Sequence, residues 1–147
     1  MSFMFHNCVS LDSLDLSSFN TNNVTNMMGM FSGCTSLKNI DLSNFKTKKA
    51  VNLEMIFSDC NLLETVNLSN ITKCDNFMSM FMGCTSLKNV QFSKSNIRGV
   101  THTYGMFKNC ESIEIIDLST VNSKKIINVA EMFSGCISLK KLDLSNF

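Results

Sequence analysis

The 147-residue chain has no proline and no tryptophan, and its 13 Lys and Arg are nearly balanced by 12 Asp and Glu. Without proline, the turns have to be shaped by Asn, Ser and Gly. A formal charge of +1 provides no global field, which counts against a dedicated nucleic-acid binder. No stretch approaches the roughly 18 apolar residues that a spanning helix needs. The opening residues, Met1-Ser2-Phe3-Met4-Phe5-His6-Asn7, have no basic segment and no long apolar run, so they do not read as a secretory signal, and an intracellular location stays open. Histidine is scarce too. His6 and His102 fall in different repeats and read as surface residues, and no G-x-S-x-G, H-E-x-x-H, P-loop or G-x-G-x-x-G motif occurs. An enzyme needs reactive groups held together. The sequence therefore points away from catalysis, and no cofactor or metal is expected.

What the chain does have is a phrase that recurs six times: Met-Phe-x-x-Cys-x-Ser-Leu-x-x-Leu-Asp-Leu-Ser, clearest from Met30 to Ser43. Its Phe recurs as Phe5, Phe31, Phe57, Phe81, Phe107 and Phe133. Its Cys recurs as Cys8, Cys34, Cys60, Cys84, Cys110 and Cys136, at steps of 26, 26, 24, 26 and 26. A fixed period in the range of roughly 20–50 residues marks a solenoid, in which no unit can bury its inner face alone and neighbours share one core.

Each unit reads in three parts. A short strand (14–17, 40–43, 66–69, 90–93, 116–119, 142–145) alternates apolar and polar residues, with Leu, Ile or Val inward. Its outer positions are Asp15, Asp41, Asn67, Gln91, Asp117 and Asp143. A polar connector follows, tucking Phe19, Phe45, Ile71 and Val121 under the strand, with Ile97 standing in where Ser95 takes the site. The third part repeats apolar residues at i, i+3 and i+7 (Val24, Met27 and Phe31), which predicts a short helix. Gly33, Gly83 and Gly135 come two residues after the Phe and suit a closing turn with positive φ, and Asn7, Asp59 and Asn109 tolerate the same conformation. Six strands at about 4.8 Å each would make a parallel sheet roughly 25 Å long.

A cysteine in every repeat is most simply a small buried apolar residue left as a free thiol, although stacked units about 5 Å apart do not exclude a disulfide by distance. Cys74 reads as core. The Met stripe reads as packing. Three features remain for function. The outer strand positions could take a cation or a basic peptide, or form a solvated face that blocks unwanted pairing. Eight of the 13 cations lie on the connectors, among them Lys46, Lys48, Lys49, Lys124 and Lys125, an edge able to attract sulfated glycans, acidic lipid or nucleic acid, or else a plain solvated loop edge. The ends lack polar caps: Met1, Met4 and Phe5 at one, Leu142, Leu144 and Phe147 at the other. These ends predict end-to-end association or dimerisation.

The phrases Met-Phe-x-Gly-Cys-x-Ser-Leu, Leu-Asp-Leu-Ser-x-Phe-Asn-Thr and Val-Thr-Asn-Met together closely resemble the BspA-like leucine-rich repeats, and the match covers essentially the whole chain. The resemblance implies an α/β leucine-rich-repeat-like solenoid of about six strand-loop-short-helix units with a parallel β-sheet along one side. Residues 1–147 would form a single domain of about 26 residues per repeat, starting and ending mid-repeat. It also implies a cell-surface or extracellular protein that mediates adhesion by binding a protein or glycan. The competing expectation is a structural, self-associating spacer or stalk.

Overall fold

The computed structural model describes residues 1–47, 49, 51–92, 97–122 and 124–146. Its regular elements are seven short strands: β1 (Asn39–Asp41), β2 (Val51–Asn52), β3 (Thr65–Leu68), β4 (Cys74–Asn76), β5 (Asn89–Phe92), β6 (Ile115–Asp117) and β7 (Lys141–Asp143). All pairings are parallel and advance by one repeat, as in Ile40 beside Val66, Val66 beside Val90, and Ile116 beside Leu142. The chain is thus a β-solenoid, with Ile40, Val66 and Ile116 buried while Asp41 and Asp117 stay exposed on the opposite face of the pleat.

No helix occurs among the described residues, which corrects the helix expected over 24–31 and its equivalents, and with it the α/β assignment. The physical reason lies in where the amides go. An α-helix directs each N–H to the carbonyl four residues back. Here the amides of Met27, Gly29, Phe31 and Gly33 donate to Asn52, Glu54, Ile56 and Ser58 of the next coil. The intervening amides close tight turns three residues back: Met30 to Met27, Ser32 to Gly29 and Cys34 to Phe31. Positive φ comes twice in each coil, at Gly29 and Gly33 (58° and 74°) and at Met55 and Asp59 (52° and 61°), which no helix interior accommodates. The closing-turn conformation expected at Gly33 and its equivalents is therefore present, within a chain of turns.

The stretch expected as a first strand, 14–17, forms none, and the sheet is broken between β5 and β6. A three-stranded sheet (β1, β3, β5) and a two-stranded one (β6, β7) replace the continuous array, with β2 and β4 pairing on another side. The break lies beside an irregular connector: Ile97 sits level with Val121, although five positions separate Phe92 from Ile97 and three separate Leu118 from Val121. Ser95 lies outside the described residues, and Ile97 fills the buried site. Coils of short strands and tight turns thus form the solenoid in place of the expected six strand-loop-helix units.

Inside, like residues stack on like. The rings of Phe5, Phe31, Phe57, Phe81, Phe107 and Phe133 lie 5.3–6.1 Å apart, within 18° of parallel. All seven cysteines are free thiols, and those from Cys34 to Cys110 are buried. Five of the six repeat thiols donate to the carbonyl of the Phe one coil back: Cys34 to Phe5, Cys60 to Phe31, Cys84 to Phe57, Cys110 to Phe81 and Cys136 to Phe107, at 3.0–3.2 Å. The carbonyl of Phe31 also receives the Cys34 amide, so the thiol satisfies a second lone pair that Ala would leave bare. Burial pushes the Cys60 thiol up to about 12 and the Cys84 thiol well above its ordinary value.

One column alternates. The positive-φ site reads Asn7, Gly33, Asp59, Gly83, Asn109, Gly135 along successive coils. A Cβ on Gly33 would meet Asn7 Oδ1 at 2.0 Å, and one on Gly83 would meet Asp59 Oδ1 at 2.5 Å. Every second coil lends a side chain to the space the next coil leaves empty.

Candidate interaction surfaces

The strand-face residues come together only in part. Asp41, Asn67 and Gln91 line up across β1, β3 and β5, and Asp117 stands beside Asp143, but the sheet break divides the two groups and Asp15 lies outside any strand. Five of the six side chains have local work. Asp15, Asp41, Asn67, Asp117 and Asp143 each accept the amide of the Ser two residues on, at 2.7–3.0 Å. The Ser17 and Ser145 amides, aided by their hydroxyls, hold the Asp15 and Asp143 carboxyls below the usual range. Leu-Asp-Leu-Ser is thus a turn-closing motif as much as an outward face. A shallow cleft of about 390 Å³ crosses the first group, and one of about 610 Å³, lined by Lys88, Val90, Glu114 and Ile115, opens at the break.

Where the strands begin, charge alternates. The residue before β1, β3, β5, β6 and β7 reads Lys38, Glu64, Lys88, Glu114 and Lys140, and Asp12 holds the same place one coil earlier. Lys88 pairs with Glu64 at 2.7 Å and Lys140 with Glu114 at 2.9 Å. The Lys88 ammonium holds the Glu64 carboxyl below its usual range. Lys108 and Glu131 form another coil-to-coil pair at 2.5 Å.

Where the strands end, one sign prevails. The connectors 17–23, 43–49, 69–73, 93–99 and 119–125 hold eight of the 13 cations and none of the 12 acids. Lys46, Lys49, Lys73, Arg98, Lys124 and Lys125 are all exposed, while Lys48 and Lys94 lie outside the described residues. The backbone beneath them is fixed coil to coil. The Arg98 amide donates to Thr72 O and its carbonyl accepts from Cys74, the Lys46 amide donates to the buried Thr21 hydroxyl, and the Lys124 amide donates to Asn122 Oδ1. Three clefts follow this edge. One of about 260 Å³ is lined by Asn20, Asn22, Asn44 and Lys46, one of about 280 Å³ by Lys46, Thr47, Asn70 and Thr72, and one of about 400 Å³ by Lys73, Arg98, Gly99, Asn122, Lys124 and Lys125.

At the ends, Met1 and Phe5 are half-buried, with Phe5 stacked on Phe31, while Met4, Leu142 and Leu144 are exposed; Phe147 lies outside the described residues. Sequence reasoning missed Ile127 and Ile137, which are 76% and 80% exposed. Their signal is an apolar residue where most other copies are polar: Ile127 takes the place of Thr25, Asp75 and Thr101, with Val51 the exception, and Ile137 that of Thr35, Asn61, Thr85 and Glu111, with Val9 the exception. His6 bonds the Ser32 carbonyl and His102 the Thr101 hydroxyl. Among the described residues no group of His, Cys, Asp and Glu could hold a metal ion, and no helix is long and apolar enough to cross a membrane.

A family described as "Mycoplasma protein of unknown function, DUF285" matches residues 1–89 and 61–147. The chain belongs to this family. DUF285 is a repeat family of the BspA-like leucine-rich kind, in agreement with the motif resemblance. No curated protein sequence matches this DUF285 chain. Among solved structures, a leucine-rich repeat protein from Bacteroides ovatus is similar at 19% identity and a TM-score of 0.35. The match covers 97% of this chain and 51% of that one, so the DUF285 chain spans about half the length of that protein.

Proposed function

We propose that this DUF285 chain is a non-enzymatic interaction module that presents an extended surface to a protein or glycan, in the manner implied by the resemblance to BspA-like surface proteins that mediate adhesion. A cell-surface or extracellular location goes with this reading. The observation that carries it is the connector edge: a row of exposed cations without acids, over three clefts, in a molecule that elsewhere matches charge from coil to coil. The inward residues repeat from copy to copy and are committed to packing, so the variable exposed positions are left to set specificity. The test is binding to a panel of immobilised matrix proteins and glycans by the chain and by an Arg98→Gln, Lys124→Gln, Lys125→Gln variant. The reading expects at least one partner to be lost by the variant while its thermal unfolding is unchanged. Identical behaviour of both proteins across the panel, and of a strand-face Asn67→Arg, Gln91→Arg variant, would sink it.

A second reading, end-to-end self-association into a spacer, is favoured by the fit between the first and last coils. Gly105, Phe107 and Asn109 donate their amides to Ala130, Met132 and Ser134, but within these 147 residues no further coil receives the equivalent amides of Glu131, Phe133 and Gly135. On the first coil, Ser2, Met4 and His6 hold the places of Met28, Met30 and Ser32, the carbonyls that accept such amides. A second copy stacked there would set Asn7 against Gly135 and Asp12 against Lys140, continuing both alternations. Sedimentation should show association of the 147-residue chain that Met4→Asp abolishes; a clean monomer at high concentration rules the reading out.

A further inference from the structure

We infer that the connector edge is a binding groove for a linear sulfated polysaccharide, running across the coils from Lys46 to Lys125. This inference rests on the interaction-module reading above and gives its surface a ligand class.

The first argument is spacing. Lys46, Lys73, Arg98 and Lys124 come from successive coils, and Lys73 is bridged to Arg98 in parallel register. Coils repeat at about 4.8 Å, so an edge with a cation on each of these successive coils presents closely set positive charges along its length, where a compact ligand would engage only two or three. The second is chemistry. The described residues lining the two clefts between Lys46 and Lys125 are Lys, Arg, Thr, Asn and Gly, without a carboxylate, an aromatic ring or an aliphatic side chain, and the cleft that includes Phe19 lies on the other side of Lys46, outside this groove. Ammonium and guanidinium groups suit sulfate oxygens, and the Thr47 and Thr72 hydroxyls and the Asn70 and Asn122 amides suit sugar hydroxyls. A single-stranded nucleic acid would require rings for its bases to stack on, and a membrane surface would require apolar anchors; the clefts have neither.

The third argument is preorganisation. The turn that presents Lys124 is closed by Asn122 Oδ1, and Gly99 forms part of the cleft wall with a φ of 96° and no side chain. Finally, like charges are not forced by the fold. The strand-start column of the same coils alternates Lys and Glu, so the single sign on this edge is a choice at positions where mixed charge is accessible.

The experiment measures binding of the full chain to heparin and to chemically desulfated heparin over a salt series. The Arg98→Gln, Lys124→Gln, Lys125→Gln variant is compared with Lys88→Gln, Lys108→Gln, Lys140→Gln, which removes the same net charge from ion-paired positions, after both are shown folded by circular dichroism. The inference expects heparin binding that weakens at least about tenfold in the edge variant with a flatter salt dependence, and changes by no more than about twofold in the control variant. It expects the desulfated chain to bind weakly or not at all. Equal losses in the two variants, equal binding of desulfated heparin, or tighter edge-dependent binding of a single-stranded oligonucleotide or of phosphatidylserine vesicles would overturn it. If heparin fails while a panel protein is still captured through the edge, this inference falls and the interaction-module reading stands. If neither the edge variant nor the strand-face variant alters binding to any partner, both fall.

Discussion

Each strand of the solenoid has two ends, and the molecule treats them differently. At the start, Lys38, Glu64, Lys88, Glu114 and Lys140 follow one another in opposite signs, and Lys88 and Lys140 close ion pairs with the coil before. At the finish, Lys46, Lys73, Arg98 and Lys124 follow one another from coil to coil with the same sign, Lys73 directly beside Arg98. The backbone beneath both columns is bonded from coil to coil, and the contrast is carried by the side chains. Stacking magnifies a choice at one repeat position, because every residue meets its own equivalent about 4.8 Å away. An alternating column neutralises itself and contributes to holding coils together, whereas a uniform column leaves its field for something outside the chain.

The largest expected effect breaks both columns at once, since they hang from one core. Phe57 lies between Phe31 and Phe81, and Phe57→Ala should cost about 3–5 kcal/mol in urea unfolding and take binding at either edge down with stability. Alkali comes next. Burial raises the thiols in the folded state, to about 12 for Cys60, so the folded form retains protons that the unfolded chain releases above its ordinary value near 9.0. Stability contributed by the Cys60 thiol is complete below pH 9 and should fall by about 1.4 kcal/mol for each pH unit between 9 and 12, as read from denaturation midpoints, with the other buried thiols acting in the same direction. Gly83→Ala sharpens the view from the strand-start side. It combines a φ of 76° with a Cβ 2.5 Å from Asp59 Oδ1 and should lose about 1–3 kcal/mol, with part of the loss restored by Asp59→Gly. The smallest effect separates the columns: Lys88→Glu should lower Tm by setting an acid between Glu64 and Glu114, whereas Lys124→Glu should leave Tm unchanged or raise it while weakening anion binding. A drop in Tm of equal size for both would remove the distinction.

Much of this was legible in the sequence, and the rest was hidden for definite reasons. The repeat, the inward Phe, Cys and Leu, and the positive-φ site were readable because each recurs in every copy. The helix was misread because a run of tight turns also buries residues three and four apart: Met27, Met30, Phe31 and Cys34 point inward without one helical hydrogen bond. Gly29 and Gly105, in the middle of the expected helix, were the available warning. The outward Asp column was visible, but its bond to the following Ser amide was not, since a strand face and a turn-closing oxygen use the same letter. The alternating columns are not legible in what the copies share, since alternation is a difference between neighbours. The sheet break left no mark in the period, as Val90 and Ile116 remain 26 residues apart.

The Asn7, Gly33, Asp59, Gly83, Asn109, Gly135 column bears on how such a chain can change length. Its coils with Asn or Asp are also those with Asp12, Glu64 and Glu114, and its glycine coils are those with Lys38, Lys88 and Lys140. Two columns therefore keep the same beat, and the unit of inheritance is a pair of coils. Duplicating or deleting a pair preserves every neighbour relation, while an odd coil would set a side chain where the next coil needs a void and acid beside acid. Growth by doublets is a rule that the genetic message must obey, imposed by the space above a missing Cβ.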